Sequence, residues 1–406
     1  MSLAEIHKKA KLVMIPSGFK ADEILYSVLP NDGSGNFTAS GDTDSTRVNK
    51  DGLIEKVTTL VPRLNYDFGN PKNPHLLLES QSTNLSTNSE AFDSWTNGST
   101  YVTANQAVSP DGNTTADQLA KTSAFQQIQN TATVVSGSDY SFSVFVKENT
   151  LDRITLRLAS GSNDVRKCLD LGDLSVVDAG GNATGFVETK VEKYSNGWYK
   201  YTVVATTNDT LLYMNIYAGK GDVIESGNIY IWGAQLEKGN YPTSYIPTVG
   251  STVTRSQDTC TGGGSSSIFN DSEGTLFLEI SRPINDSTTR SVSISDGSSS
   301  DRVIIQYISG FILGIVASGT TTVATLLFST TSTSLNKIAL RYKKNDFAMY
   351  VNGTQAGTDT NGNAPVGLSS FDFNDGTGSQ KYEGQCAQAM YFDTALTNAE
   401  LTTLTT

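Results

Sequence analysis

An alternation of apolar and polar side chains, with a period of two, runs through most of this chain of 406 residues. It is plain in RITLRLAS (153–160), LLYMNIYA (211–218) and NIYIWGAQ (228–235). It returns between 274 and 344 in GTLFLEIS, RVIIQYI, FILGIVA, ATLLFST and KIALRYKK. Successive side chains of a strand point to opposite faces, so each such segment can bury one face and wet the other. Composition agrees. Charged residues make up only 17%, and the chain is rich in Ser, Thr, Gly and Asn but poor in the Leu, Glu and Lys of a helical protein. The expected fold class is all-β: an N-terminal β-rich leader followed by two antiparallel β-sandwiches.

Residues 1–75 form the leader. Leu3, Ile6 and Ala10 have helical spacing. KLVMIPSGF (11–19) reads as a strand stopped by Pro16 and Gly18, and ILYSVLP (24–30) as another. STRVN (45–49) and GLIEKV (52–57) read as two short strands joined at Lys50 and Asp51. So small a leader buries little apolar surface alone and must pack on a neighbour. Two readings stand: a particle anchor, or a sheet belonging to the domain that follows. Residues 76–256 make the first sandwich, with Ile154, Leu156, Leu158, Leu212, Met214 and Ile216 assigned to its core. Residues 257–267, with CTGGGSSS, read as a flexible Gly/Ser linker. Residues 268–406 make the second sandwich. It has a hairpin turn at Asn352-Gly353 and a closing helix capped by Thr397, with Glu400 three residues on.

The stretch IYIWGAQLEKGNYPTSYIPTVGSTVTR (229–255) resembles the end of the jelly-roll carbohydrate-binding-like module of many bacteriophage tail-fibre, spike and minor structural proteins. LLLESQSTNLSTNSEAFDSW (76–95) is similar to its start. VSPDGNTTADQL (108–119), YSFSVFVK (140–147) and NGWYKYTV (196–203) are similar to its interior. LVMIPSGF and TRVNKDGLIE resemble the leader that precedes it in phage proteins. The last region resembles the concanavalin-like, laminin-G type sandwich through IALRYKKNDFAMYVNG and ALTNAEL. These resemblances imply a virion structural protein (head fibre, capsid decoration or tail fibre) assembled in the host bacterial cytoplasm. They imply other capsid or tail proteins as partners and a homo-oligomer, a trimer by the same resemblance. They name no ligand.

The strand faces opposite the core carry the candidate glycan contacts Arg157, Tyr213, Asn215 and Tyr217, with Phe145 in the corresponding phase of its own strand. Sugar rings lay their C–H faces on aromatic rings, and their hydroxyls exchange hydrogen bonds with Asn and Arg. The alternative is that this face is covered by a loop, by the leader or by a neighbouring subunit. Trp95, Trp198 and Trp232 read as packing residues. Asp296, Asp301, Asn374 and Asp375 lie in polar loops and are candidate Ca²⁺ ligands, since Ca²⁺ takes oxygen donors; the competing reading is that they only make turns.

The net charge of −12 argues against nucleic acid as a partner, which would need clustered Lys and Arg, and against an anionic membrane surface. No apolar run reaches a bilayer's length. Cys168, Cys260 and Cys386 form no metal motif or disulfide framework and read as free thiols. His7 and His75 fall outside both expected sandwiches, so no Ser-His-Asp or Cys-His arrangement is expected, nor a His-based zinc site. The chain is read as non-enzymatic. A virion polysaccharide depolymerase, which would need only two carboxylates, is the alternative. A secreted bacterial carbohydrate-binding protein is a third reading, disfavoured by an N-terminus without a signal-peptide pattern.

Overall fold

A computed structural model describes residues 2–16, 24–42, 44–67 and 70–406, the side chains of 67 and 70–72 excepted. The end of the expected strand at 11–19, with Gly18, lies outside the described residues. The chain is nearly all β, and its sheets are antiparallel. No described helix is long and apolar enough to cross a membrane. All three cysteines are free and buried.

The first sandwich packs a five-stranded sheet on a six-stranded one. The five-stranded sheet runs, in spatial order, Ile128–Thr133, Leu211–Ala218, Arg153–Ser160, Asn163–Asp170 and Val176–Gly181. The six-stranded sheet runs Phe186–Lys193, Tyr199–Thr206, Asp139–Lys147, Gly227–Lys238, Ala116–Lys121 and Val102–Ala107. The alternation places Ile154, Leu156 and Leu158, with Leu212, Met214 and Ile216, between the sheets against Phe142, Val144, Val146, Ile229 and Ile231. All eleven are essentially sealed from water, and each such burial contributes roughly 1.5–3 kcal/mol.

The second sandwich is built differently from the expectation. Its eight-stranded sheet includes three strands from the leader, and its partner is a five-stranded sheet running from Thr321–Ser329 to Ser370–Asp372. Strand Gly384–Phe392 pairs along one edge with Glu273–Ile280. Its other edge is shared by Leu12–Met14 (Leu12 opposite Tyr391) and Asn70–Leu78 (Leu76 opposite Cys386). Leu64–Asp67 extends the sheet beyond. An uncovered edge invites pairing with other chains, and here the leader closes it. The leader therefore has no core of its own. Leu12–Met14, Leu64–Asp67 and Asn70–Leu78 belong to the sheet of the last domain, whereas the hairpin of Thr46–Val48 and Ile54–Lys56 packs on the first sandwich, and strand Asn70–Leu78 runs across residue 75. His75 accordingly sits inside a sandwich strand.

The expected linker is likewise built in. Thr259–Thr261 pairs with Thr38–Ser40 of the leader, and Gly263 exchanges backbone hydrogen bonds with Phe371. A Cβ at Gly263 would lie 2.3 Å from the Phe37 ring. The glycine is required for close approach rather than for flexibility. The 24–30 segment, read as a strand, makes only isolated bridges at Leu25 and Leu29. Helix Leu3–His7, capped by Ser2, and helix Asn398–Thr405, capped by Thr397 and Glu400, lie together on the outer face of the eight-stranded sheet. Lys9 pairs with Glu400 there at 2.5 Å.

One buried polar junction ties these parts together. Arg63 of the leader donates to Asp258, and to Glu79 at 2.7 Å. Arg255 donates to the same Glu79 carboxylate and to the Ser80 carbonyl. The Ser244 amide donates to Glu79 at 2.8 Å. Burial opposes the charge on Glu79, but Arg255 and Arg63 outweigh it and hold the carboxyl far below the usual range.

Candidate functional site

The two outer faces of the first sandwich have separate fates. On the six-stranded sheet, Phe145 is buried at 1% exposure. Its ring packs edge-on against Trp232 at 5.4 Å and Tyr194 at 4.9 Å. A bulge places Gly233, at φ 63°, opposite this ring, and a Cβ there would sit 3.0 Å from it. Over this face lies the chain that leaves strand Gly227–Lys238. The Lys200 ammonium donates to the Thr243 carbonyl at 2.7 Å, and the Gln235 side chain accepts from the Ile246 amide at 2.6 Å. The leader hairpin adds Ile54, and the Thr46 hydroxyl donates to the Tyr245 carbonyl at 2.6 Å. Phe145 is therefore a core residue and offers no ligand platform. The three tryptophans are also packed, each indole N–H bonded within the fold: Trp95 to Asn88, Trp198 to Val108 and Trp232 to Thr115.

The outer face of the five-stranded sheet brings the other four candidates together. Arg157 lies opposite Asn215 on one neighbouring strand and Arg166 on the other. The Arg157 guanidinium donates to the Asn215 side-chain oxygen at 3.1 Å, and the Asn215 amide donates to Gln129 at 3.1 Å. Toward the other side, Asp164 accepts from Arg157 at 2.7 and 3.2 Å and from Arg166 at 3.1 and 2.7 Å. The result is a polar row, Gln129–Asn215–Arg157–Asp164–Arg166, across four strands. Burial pushes the Asp164 carboxyl up, but the hydrogen bonds from Arg166 and Arg157 prevail and hold it at about 2.

Tyr213 and Tyr217 differ. Tyr213 is 36% exposed beside the row. Tyr217 is buried, its ring against Gly221 of the loop that follows, and burial pushes its hydroxyl above the ordinary tyrosine range. That loop is fastened to the sheet by Thr155, whose hydroxyl donates to Gly219 at 3.0 Å and accepts from Gly221 at 3.1 Å. The loop at 122–127 joins it, the Phe125 amide donating to Gly221 at 2.8 Å. The face thus has a polar floor, one exposed aromatic ring and a wall at one end. Exposed Phe125 and Ile224 belong to these wall loops. Gln129, Asp164 and Arg166 join the row only through cross-strand register, which no single segment's pattern reveals. Asn215 itself is fully buried and serves to align Arg157.

A second recess, about 350 Å³, opens beside the covered face. Glu90, Asp111, Lys56 and Pro247 line it, over Trp232 and Tyr245. The Tyr245 hydroxyl donates to Glu90 at 2.8 Å, and burial pushes the Glu90 carboxyl upward.

The candidate Ca²⁺ ligands all accept hydrogen bonds from backbone amides. Asp296 accepts from Ser298 at 2.8 Å, and Asp301 accepts from Val366 at 2.9 Å. Asn374 accepts from Gly376 at 2.7 Å, and Asp375 from Thr377 at 3.0 Å. Among the described residues, no group of three or more His, Cys, Asp or Glu is placed to hold a metal ion. Asp296, Asn374 and Asp375 organise turns in the way Asp and Asn commonly do, whereas Asp301 ties its loop to Gly319 and Val366.

No family model matches the chain, and no curated protein matches it. Similar solved structures include the Ruminococcus gnavus IT-sialidase CBM40, at 15% identity and a TM-score of 0.31, covering 36% of this chain and 94% of that one. The SAP-like pentraxin from Limulus polyphemus is 14% identical, covering 33% and 70% with a TM-score of 0.27. The botulinum neurotoxin serotype D binding domain is 15% identical, covering 36% and 39% with a TM-score of 0.29. Likenesses this distant assign no ligand or activity to the present chain.

Proposed function

We propose that this protein is a non-enzymatic structural component of a phage particle that adheres to glycans through the outer face of its five-stranded sheet. The observation that carries the adhesive part is the polar row from Gln129 to Arg166 with Tyr213 exposed beside it. Among the described residues, no strand or tail segment packs over the row as the 241–248 chain does over the six-stranded sheet. Hydrogen-bonding groups fixed on strands, with an aromatic ring at their side, suit a sugar's hydroxyls and C–H face. The virion setting, the capsid or tail partners and a trimeric assembly rest on the sequence resemblances at 76–95, 108–119, 140–147, 196–203 and 229–255. The test is attachment of purified protein to host cells and to immobilised surface polysaccharide. Tyr213→Ala is expected to weaken attachment while leaving the melting transition in place. Equal attachment by the variant would remove this face from the account.

A depolymerase is the second reading, and the recess holding Glu90 and Asp111 is what favours it. A carboxyl raised by burial beside a second carboxylate is the pattern of a glycosidase acid. Release of reducing ends from host polysaccharide, abolished by Glu90→Gln, would establish it. The adhesive reading expects no release.

A further inference from the structure

We infer that the glycan contacted by the five-stranded sheet is anionic, carrying carboxylate, sulfate or phosphate groups; this rests on the adhesive reading of that face. The charge on the face runs against the charge on the molecule. The whole chain carries −12, yet the floor presents two guanidiniums, Arg157 and Arg166, around a single carboxylate. Asp164 can neutralise only one of them. Arg153 on the same face is matched by Asp170 at 2.9 Å, and the wall adds two further pairs at 3.7 Å, Lys220 with Asp222 and Lys121 with Glu225, each of which cancels. One positive charge is left over on a rigid, partly shielded surface. Arg166 uses its Nε and one terminal nitrogen on Asp164, which leaves its other terminal nitrogen for a ligand. A guanidinium presents planar paired donors that fit carboxylate, sulfate and phosphate oxygens. Elsewhere the surplus of acidic groups repels an anionic polymer, so the same charge distribution would orient the protein as it lands.

The experiment measures binding of the intact protein to immobilised oligogalacturonate, alginate and heparin fragments, with uncharged dextran and mannan oligomers beside them. The expected result is signal confined to the charged members, falling as salt is raised from about 0.05 to about 0.5 M. Arg166→Gln is expected to weaken that signal about tenfold. Asp164→Asn, which removes the competing carboxylate, is expected to strengthen it. Folding of both variants is checked by thermal unfolding. Binding of dextran or mannan as strong as that of the charged fragments, unaffected by Arg166→Gln but lost in Tyr213→Ala, would overturn the anionic assignment and leave adhesion standing. Absence of binding to every member, charged and uncharged, would overturn both.

Discussion

The two outer faces of the first sandwich start from the same alternating pattern and end in opposite roles. Phe145 and Tyr213 both point away from the core between the sheets. Phe145 is sealed beneath the chain at 241–248 and the leader hairpin. Tyr213 stays in solvent beside a row of fixed polar groups. An outward-facing aromatic is therefore no evidence of a binding platform by itself. What decides is whether another part of the same chain needs that face to bury its own apolar groups. Ile54 and Tyr245 needed the six-stranded sheet, and among the described residues no comparable segment crosses the row on the five-stranded one.

That contrast can be broken or sharpened by substitution. The largest effect is expected at Phe145→Ala, where a cavity would open among Trp232, Tyr194 and Tyr245. The loss should be about 3–5 kcal/mol, read by denaturant unfolding. A loss near zero would mean that the face is not covered in solution. Of similar size, Arg63→Met should cost about 3–5 kcal/mol, because it leaves the buried Asp258 carboxylate without its cation. Its unfolding should involve both sandwiches in one transition, since Arg63 and Arg255 bridge them through Glu79. Two well-separated transitions in the wild type would contradict that coupling.

A smaller effect is expected at Asp164. Its folded-state pKa, about 2, lies below the unfolded value of about 3.9. The unfolded chain therefore takes up the proton first as the medium is acidified. The stabilisation is complete above about pH 4 and is lost as pH falls toward about 2. Asp164→Asn should cost about 1–2 kcal/mol at neutral pH and remove that part of the acid limb in stability-against-pH curves. The smallest stability effect is expected at Tyr213→Ala, within about 0.5 kcal/mol. Its binding loss should nevertheless be on the order of 1 kcal/mol. The two readouts move apart for Tyr213 and together for Phe145.

Local pattern made the strands legible. RITLRLAS and LLYMNIYA carry their core residues at alternate positions, as expected, and Asn352-Gly353 and Thr397 do at their turn and cap what their chemistry suggests. What could not be read was long-range. Leu12–Met14 pairs with a strand more than three hundred residues away, and three apolar residues in a row do not say which edge they will close. The run of glycines at 262–264 looks like flexibility in composition, but the Phe37 ring explains the middle one. At the site, Arg157, Asn215 and Tyr213 were visible as outward residues of single strands. Gln129, Asp164 and Arg166 were not, because they are supplied by register between strands. The burial of Phe145 depends on where the tail and the leader go, which no strand encodes.

The most direct test of the account is the structure of the protein with a bound charged oligosaccharide such as oligogalacturonate. Sugar density is expected on the five-stranded sheet, with a ring against Tyr213, an acidic group on Arg166 and the Phe145 face still covered. Density in the recess of Glu90 and Asp111, or only on the second sandwich, would contradict it.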